Sequence, residues 1–153
     1  CYGGGLQIAL AADLRFTTAD AQWSVLEAKW GLVPDMSGIQ ALSQQVRMDV
    51  AKRLTMTGEV VSGERAVDLG LASEVHADPV AAATAFIEQV ATRSPDAVAA
   101  TKRLFGRTWS SSDRRTFARE RIEQAKLLAT KNTTIAREAA MKRAVPAFDP
   151  RRR

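Results

Sequence analysis

Little in this sequence could build a disulfide, metal or nucleophile–histidine site. Among 153 residues, Cys1 is the only cysteine and His76 the only histidine. One cysteine permits no intrachain disulfide, and nothing points to an oxidising compartment, so a cytoplasmic protein is expected. His76 has no second ligand beside it for a metal and is given no role. Ser24 has no histidine near it in sequence, which leaves a serine hydrolase without support. No apolar run is long enough to cross a membrane. Aromatic residues make up 6% of the chain, too few to interleave with its basic residues as a nucleic-acid surface requires. The glycine run near the start is followed by no GK[ST], which excludes a phosphate loop, and its spacing does not fit a dinucleotide fingerprint. Neither a nucleic-acid nor a membrane partner is expected.

What is present suits a globular domain with a core: 46% hydrophobic and 25% charged residues. The formal net charge is +5, and most Lys and Arg follow Thr101. They are spread around helical faces, which reads as solvated surface, with attraction of a polyphosphate ligand as the alternative.

Leu6–Ala12 reads as a short buried helix. Weak alternation predicts strands at Asp13–Thr17 and Gln22–Ser24 around a turn at Thr18–Ala21. Gly31, Pro34 and Gly38 punctuate the next stretch too densely for a long helix and predict a loop. A helix enters near Ser37, with Ile39, Leu42, Val46, Val50, Ala51 and Leu54 carrying its apolar periodicity. Ser62 is a good N-cap for a helix ended by Gly70, and Leu71–Val75 reads as a short strand. Helices follow at about 79–92, 95–108, 111–130 and 132–144, with Pro95 in a first turn. Ala118, Ile122, Ala125 and Ala129 form an apolar stripe, and "PAFDPRRR" reads as a loose end. The division is therefore an α/β part, 1–75, and a helical part, 76–153. So few strands cannot cover both faces of a sheet. The chain also opens with Cys inside an apparent motif. It is expected to be the C-terminal part of a longer protein with more strands upstream.

Two stretches could carry chemistry. "CYGGGLQIALAAD" places Gly3, Gly4 and Gly5 directly before a helix. Glycine lets backbone approach a ligand, and the first N–H groups of a helix lack intrahelical partners. Such a start can donate to an anion or to a carbonyl becoming one; a tight packing turn is the competing reading. "EAKWGLVPD" places Glu27 and Asp35 among Val25, Leu26, Trp30, Leu32, Val33 and Met36. Carboxylates in apolar surroundings suit proton transfer near neutral pH. The competing reading is two surface charges, with Glu27 paired to Lys29 or Arg15. Trp23 and Trp30 could line an apolar pocket or belong to the core.

Together, "GGG-x-x-x-x-x-x-x-D…E-x-x-x-G-x-x-P-x-x-x-G" resembles the crotonase family, the enoyl-CoA hydratases and isomerases. "LTMTGEVVSGERAVDLGLASEV", "ATKRLF" and "MKRAVPAF" extend the resemblance over nearly the whole chain. It implies an α/β fold, the C-terminal part of a ββα spiral, followed by a helical trimerisation region in a homotrimer or hexamer. It implies acyl-CoA thioester substrates, no separate cofactor, and proton transfer through an oxyanion-stabilised enolate. Gly4 matches an oxyanion-hole N–H, with the second donor upstream, and Gly3 and Gly5 clear the approach to the thioester carbonyl. Glu27 matches one of two hydratase glutamates. The other falls on Gln7, which cannot take up a proton but can orient a water. Asp35 falls on the aspartate of dienoyl-CoA isomerases, unless it only caps the helix at Ser37. The residues thus lean towards isomerase and family habit towards hydratase. Trp30 and Pro34 fall in the substrate-binding stretch. Lys142 and Arg143 match basic positions that contact the CoA phosphates or adenine, or else form a solvated face. The alternative is a non-catalytic acyl-CoA-binding or trimerising fragment with an incomplete site.

Overall fold

The computed structural model describes residues 1–151. They form two compact units, Cys1–Thr84 and the residues from Ala85 onward. The first contains helix α1 (Gly4–Ala9), strands β1 (Phe16–Thr17) and β2 (Gln22–Trp23), a 3₁₀ helix (Leu26–Trp30), α2 (Gly38–Gln45), α3 (Met48–Thr57), β3 (Val61–Ser62), α4 (Gly63–Leu69) and β4 (Glu74–Val75). Helix α5 (Pro79–Ala91) crosses the division, and α6 (Pro95–Thr108), α7 (Asp113–Leu128) and α8 (Lys131–Lys142) build the second unit.

The opening is shaped by Gly3, whose φ of +50° and ψ of −124° exclude other residues without strain. Its N–H donates to Ser24 O, and Ser24 N donates to Cys1 O, so the start of α1 is stitched to the segment after β2. Helix α1 is shorter and less buried than expected. Leu6 and Leu10 point into the core, four residues apart, whereas Ile8 is 66% exposed.

The two predicted strands exist but do not pair with each other. β1 pairs in parallel with β4, matching Phe16 with Glu74 and Thr17 with Val75. β2 pairs antiparallel with β3, matching Gln22 with Ser62 and Trp23 with Val61. The reason is the start of α4, which sits on the turn between them. Gly63 N donates to Ala19 O, and a Cβ at Gly63 would lie 1.8 Å from Thr18 O. Pairing decided by a segment more than forty residues away leaves no mark on local alternation.

The predicted loop after β2 contains the 3₁₀ helix, closed by Gly31 at φ +69°. The periodicity from Ile39 to Leu54 resolves into α2 and α3, broken where Val46 and Arg47 turn extended. Ser62 Oγ accepts from Arg65 N and Gly70 closes α4 in the left-handed region, both as expected. Only Glu74–Val75 of the predicted strand is extended; Leu71 and Ala72 are core. That core is Leu6, Leu10, Trp23, Val25, Leu42, Leu54, Ala66, Leu71 and Ala72. Arg15 is half-buried beside it and donates from Nε to Leu71 O at 2.6 Å and from Nη1 to Ala12 O at 2.7 Å. Burial lowers its pKa from the ordinary arginine value.

In the second unit the helices fall within a few residues of the predicted ranges, with Ser94 Oγ capping α6 ahead of Pro95. Most of the stripe is exposed: Ala118 is half-buried, Ile122 and Ala125 are exposed, and Ala129 caps the end of α7. Ile122 is 47% exposed, and the buried residue of that helix is Glu123. Arg103 Nη2 reaches Glu123 Oε2 at 2.6 Å. That hydrogen bond, with the charges of Arg103 and Lys126, holds the Glu123 carboxyl below its usual range. The expected loose end is anchored at Asp149. Its N–H donates to Asn132 Oδ1 at 2.9 Å and its side chain meets Lys131 Nζ at 2.7 Å. The last two residues of that stretch lie outside the described residues. No helix among the described residues is long and apolar enough to cross a membrane.

Candidate active site

Helix α1, the 3₁₀ helix and the turn before α2 meet at one buried hydrogen-bond network. Gln7, one turn into α1, points inward because it follows Leu6 and precedes Leu10 on the buried side. Its Nε2 donates to Glu27 Oε1 at 2.6 Å. Its Oε1 accepts from Met36 N at 2.8 Å and from Gly38 N at 3.0 Å. Both side chains are buried, Gln7 being 5% and Glu27 9% exposed. Glu27 Oε2 is buried with no hydrogen-bond partner among the described residues. A buried oxygen left in that state is costly in a purely structural carboxylate.

Gly3 borders this carboxylate. A Cβ on Gly3 would stand 3.5 Å from Glu27 Oε1. Gly3 N, Gly5 N and Gln7 N each donate to a backbone carbonyl, whereas the Gly4 N–H, the first of α1, has no acceptor among the described residues. It is a free donor at a helix start, one residue from Gly3. A Cβ on Gly4 would come within 3.2 Å of Met36 Sδ, so the Met36 side chain walls this amide. A Cβ on Gly5 would meet nothing within 4 Å, so packing does not demand glycine there.

The other sequence candidates are dispersed. Asp35 is exposed on the loop and stands outside the network. It does not cap α2, whose N-cap Ser37 is in the left-handed region and makes no side-chain cap. Glu27 bonds Gln7, and Arg15 bonds backbone carbonyls, so the competing pairing of Glu27 with Lys29 or Arg15 is not formed. Trp23 is core and donates from Nε1 to Thr17 Oγ1 at 3.1 Å. Trp30 is 68% exposed, with Lys29 Nζ 5.3 Å from its ring centre. Pro34 is buried behind Gly38, where an added Cβ would lie 2.8 Å from Pro34 Cβ. Lys142 is exposed and 3.8 Å from Glu138, one turn back on α8. Arg143 ends that helix at φ +51°. Ser24 Oγ donates to Gly58 O, a structural bond, and His76 contacts Glu74 at 2.8 Å. Met36 and Gly38 were not singled out by composition or periodicity. Their part is played by backbone N–H groups, and the one local signal was the glycine at 38.

The enoyl-CoA hydratase/isomerase family model matches residues 1–149. The chain belongs to this family. An (E)-benzylidenesuccinyl-CoA hydratase from Thauera aromatica is 39% identical over 103 residues, covering 65% of this chain and 40% of that protein. A carnitinyl-CoA dehydratase from Proteus mirabilis is 31% identical over 109 residues, 70% of this chain and 42% of that protein. The crystal structure of an enoyl-CoA hydratase from Mycobacterium tuberculosis superposes with a TM-score of 0.90 at 30% identity, over 97% of this chain and 60% of that one. One from Polaromonas gives 0.90 at 28% identity, over 97% and 58%. The fold is crotonase-like, and the chain spans about two fifths of these curated relatives and three fifths of these solved structures.

Proposed function

We propose that this crotonase-family chain carries the base and an oxyanion donor of an acyl-CoA site that moves a proton next to a thioester carbonyl. The observation that carries this is Glu27, with Oε1 held by Gln7 and Oε2 buried without a partner. With a 3-enoyl-CoA, Glu27 Oε2 takes a proton from C2. The C–H electron pair moves into the carbonyl, and the Gly4 N–H donates to the oxygen as it becomes negative. The enolate then collapses, C4 takes the proton from Glu27, and the double bond lies between C2 and C3. No other reactant is needed. Gln7 cannot exchange a proton, so one carboxylate both removes and returns it. Asp35, expected as a second proton carrier, is exposed outside the network and is not used in this step; Lys142 is a candidate for the CoA phosphates.

The names of the relatives favour a second reading, addition of water to a 2-enoyl-CoA. Water oxygen bonds C3, its proton passes to Glu27, and Glu27 supplies C2. Conjugated-thioester absorbance separates the two when the protein is given a 3-enoyl-CoA and, separately, a 2-enoyl-CoA. A gain from the 3-enoyl substrate without loss from the 2-enoyl one is the expected result. Loss from the 2-enoyl substrate assigns hydration. Binding of both without turnover contradicts an enzyme and leaves the acyl-CoA-binding alternative.

A further inference from the structure

We infer that Gln7 is a positioning residue: it clamps Glu27 so that Oε2 alone faces the ligand, and it ties that carboxylate to the turn from Met36 to Gly38. This rests on the acyl-CoA reading of the site. The orientation of the Gln7 amide is fixed by chemistry. Its Oε1 receives two backbone N–H groups, from Met36 and Gly38. A flipped amide would face both donors with its NH₂ and would present an oxygen to Glu27. The NH₂ therefore points at Glu27, and it reaches Oε1 at 2.6 Å. Gly38 makes room for the carbonyl. A Cβ there would lie 2.7 Å from Gln7 Oε1 and 2.8 Å from Pro34 Cβ. The same turn supplies Met36, whose sulfur stands against Gly4. One side chain thus links the base, the turn before α2 and the wall beside the free helix-start amide. Misplacing a base by about 1 Å costs on the order of 100-fold in rate, so the clamp acts on kcat more than on KM.

Two variants test it from opposite sides. Gln7→Met keeps the size and removes both the donor and the acceptor; Gly38→Ala keeps Gln7 and crowds its carbonyl. Both are followed with a 3-enoyl-CoA, by melting temperature, and by the ¹³C resonance of the Glu27 carboxyl, assigned through Glu27→Gln. Each variant is expected to lower kcat about 10- to 100-fold with KM within about twofold, and to shift the Glu27 carboxyl resonance. Unchanged kcat in both variants overturns the clamp, as does an equal loss in kcat and 1/KM with no carboxyl shift. If Gln7→Met does not fold, Gly38→Ala decides. If the wild-type protein turns over no enoyl-CoA, the proton-transfer reading of the site fails. The carboxyl shift then decides the clamp by itself.

Discussion

At the scale of single residues, the site depends on where one glycine places a helix and on what one glutamine holds. Gly3 is required by its backbone and not by space: its φ is +50°, while a Cβ would sit at ordinary contact distance, 3.5 Å, from Glu27 Oε1. Gly3→Ala is therefore expected to destabilise the fold by about 1–3 kcal/mol, read as a lower urea midpoint. An unchanged midpoint would show that the positive φ is not kept in solution. Glu27 was legible as a candidate because a carboxylate stood among apolar residues, and Gly4 because glycines preceded a helix. The network joining them was not. Gln7 looked like a polar interruption in a buried helix, and its partners at 36 and 38 contribute backbone N–H groups, which any residue but proline possesses. Trp30, placed among the apolar residues of the loop, is exposed and stacked under Lys29. Composition cannot distinguish a surface tryptophan from a buried one.

At the scale of elements, helices were legible and strand pairing was not. Pro79, Ser94–Pro95, Ser62 and Gly70 mark helix ends through local chemistry, and the ends fall where those residues predict. The strands are two residues each, too short to show a period. The element that sorts their partners is α4, through the missing side chain of Gly63. Gly63→Ala puts a carbon 1.8 Å from Thr18 O, so backbone must move. A cost of about 2–4 kcal/mol is expected, at the upper end for overpacking, with both small sheets loosened together. Hydrogen exchange reads this directly: Gly63 N and His76 N, bonded to Ala19 O and Thr17 O, and the amides of the paired β2 and β3 residues should all lose protection. Loss confined to Gly63 would mean that α4 does not organise the sheets.

At the scale of the molecule, the two units are held by different physics. The first has a contiguous apolar core around Leu42, Leu54 and Leu71, each of which contributes about 2 kcal/mol by burial. The second relies on caps and on the Arg103–Glu123 pair between α6 and α7. The bond from Arg103 lowers the folded pKa of Glu123. Its stabilisation is therefore complete above the unfolded carboxylate value and is lost as pH falls through that value towards the folded one. Urea midpoints should drop from pH 7 to pH 4. Glu123→Gln should start lower at pH 7 and drop less. Equal drops in both proteins would remove Glu123 from the acid response. The sequence suggested an apolar stripe on α7 because alanines recur at helical spacing; the structure leaves most of that stripe exposed and buries the carboxylate instead.

The most direct measurement is exchange of the C2 protons of a saturated acyl-CoA in D₂O, followed by proton NMR with wild-type protein and Glu27→Gln. Exchange needs only binding, the base and the oxyanion donor, so it reads the site apart from the choice between isomerisation and hydration. The account predicts exchange by the wild type and a loss of two or more orders of magnitude in Glu27→Gln, the range for removing a general base, about 10²–10⁴-fold. Exchange that persists at the wild-type rate in Glu27→Gln would contradict it.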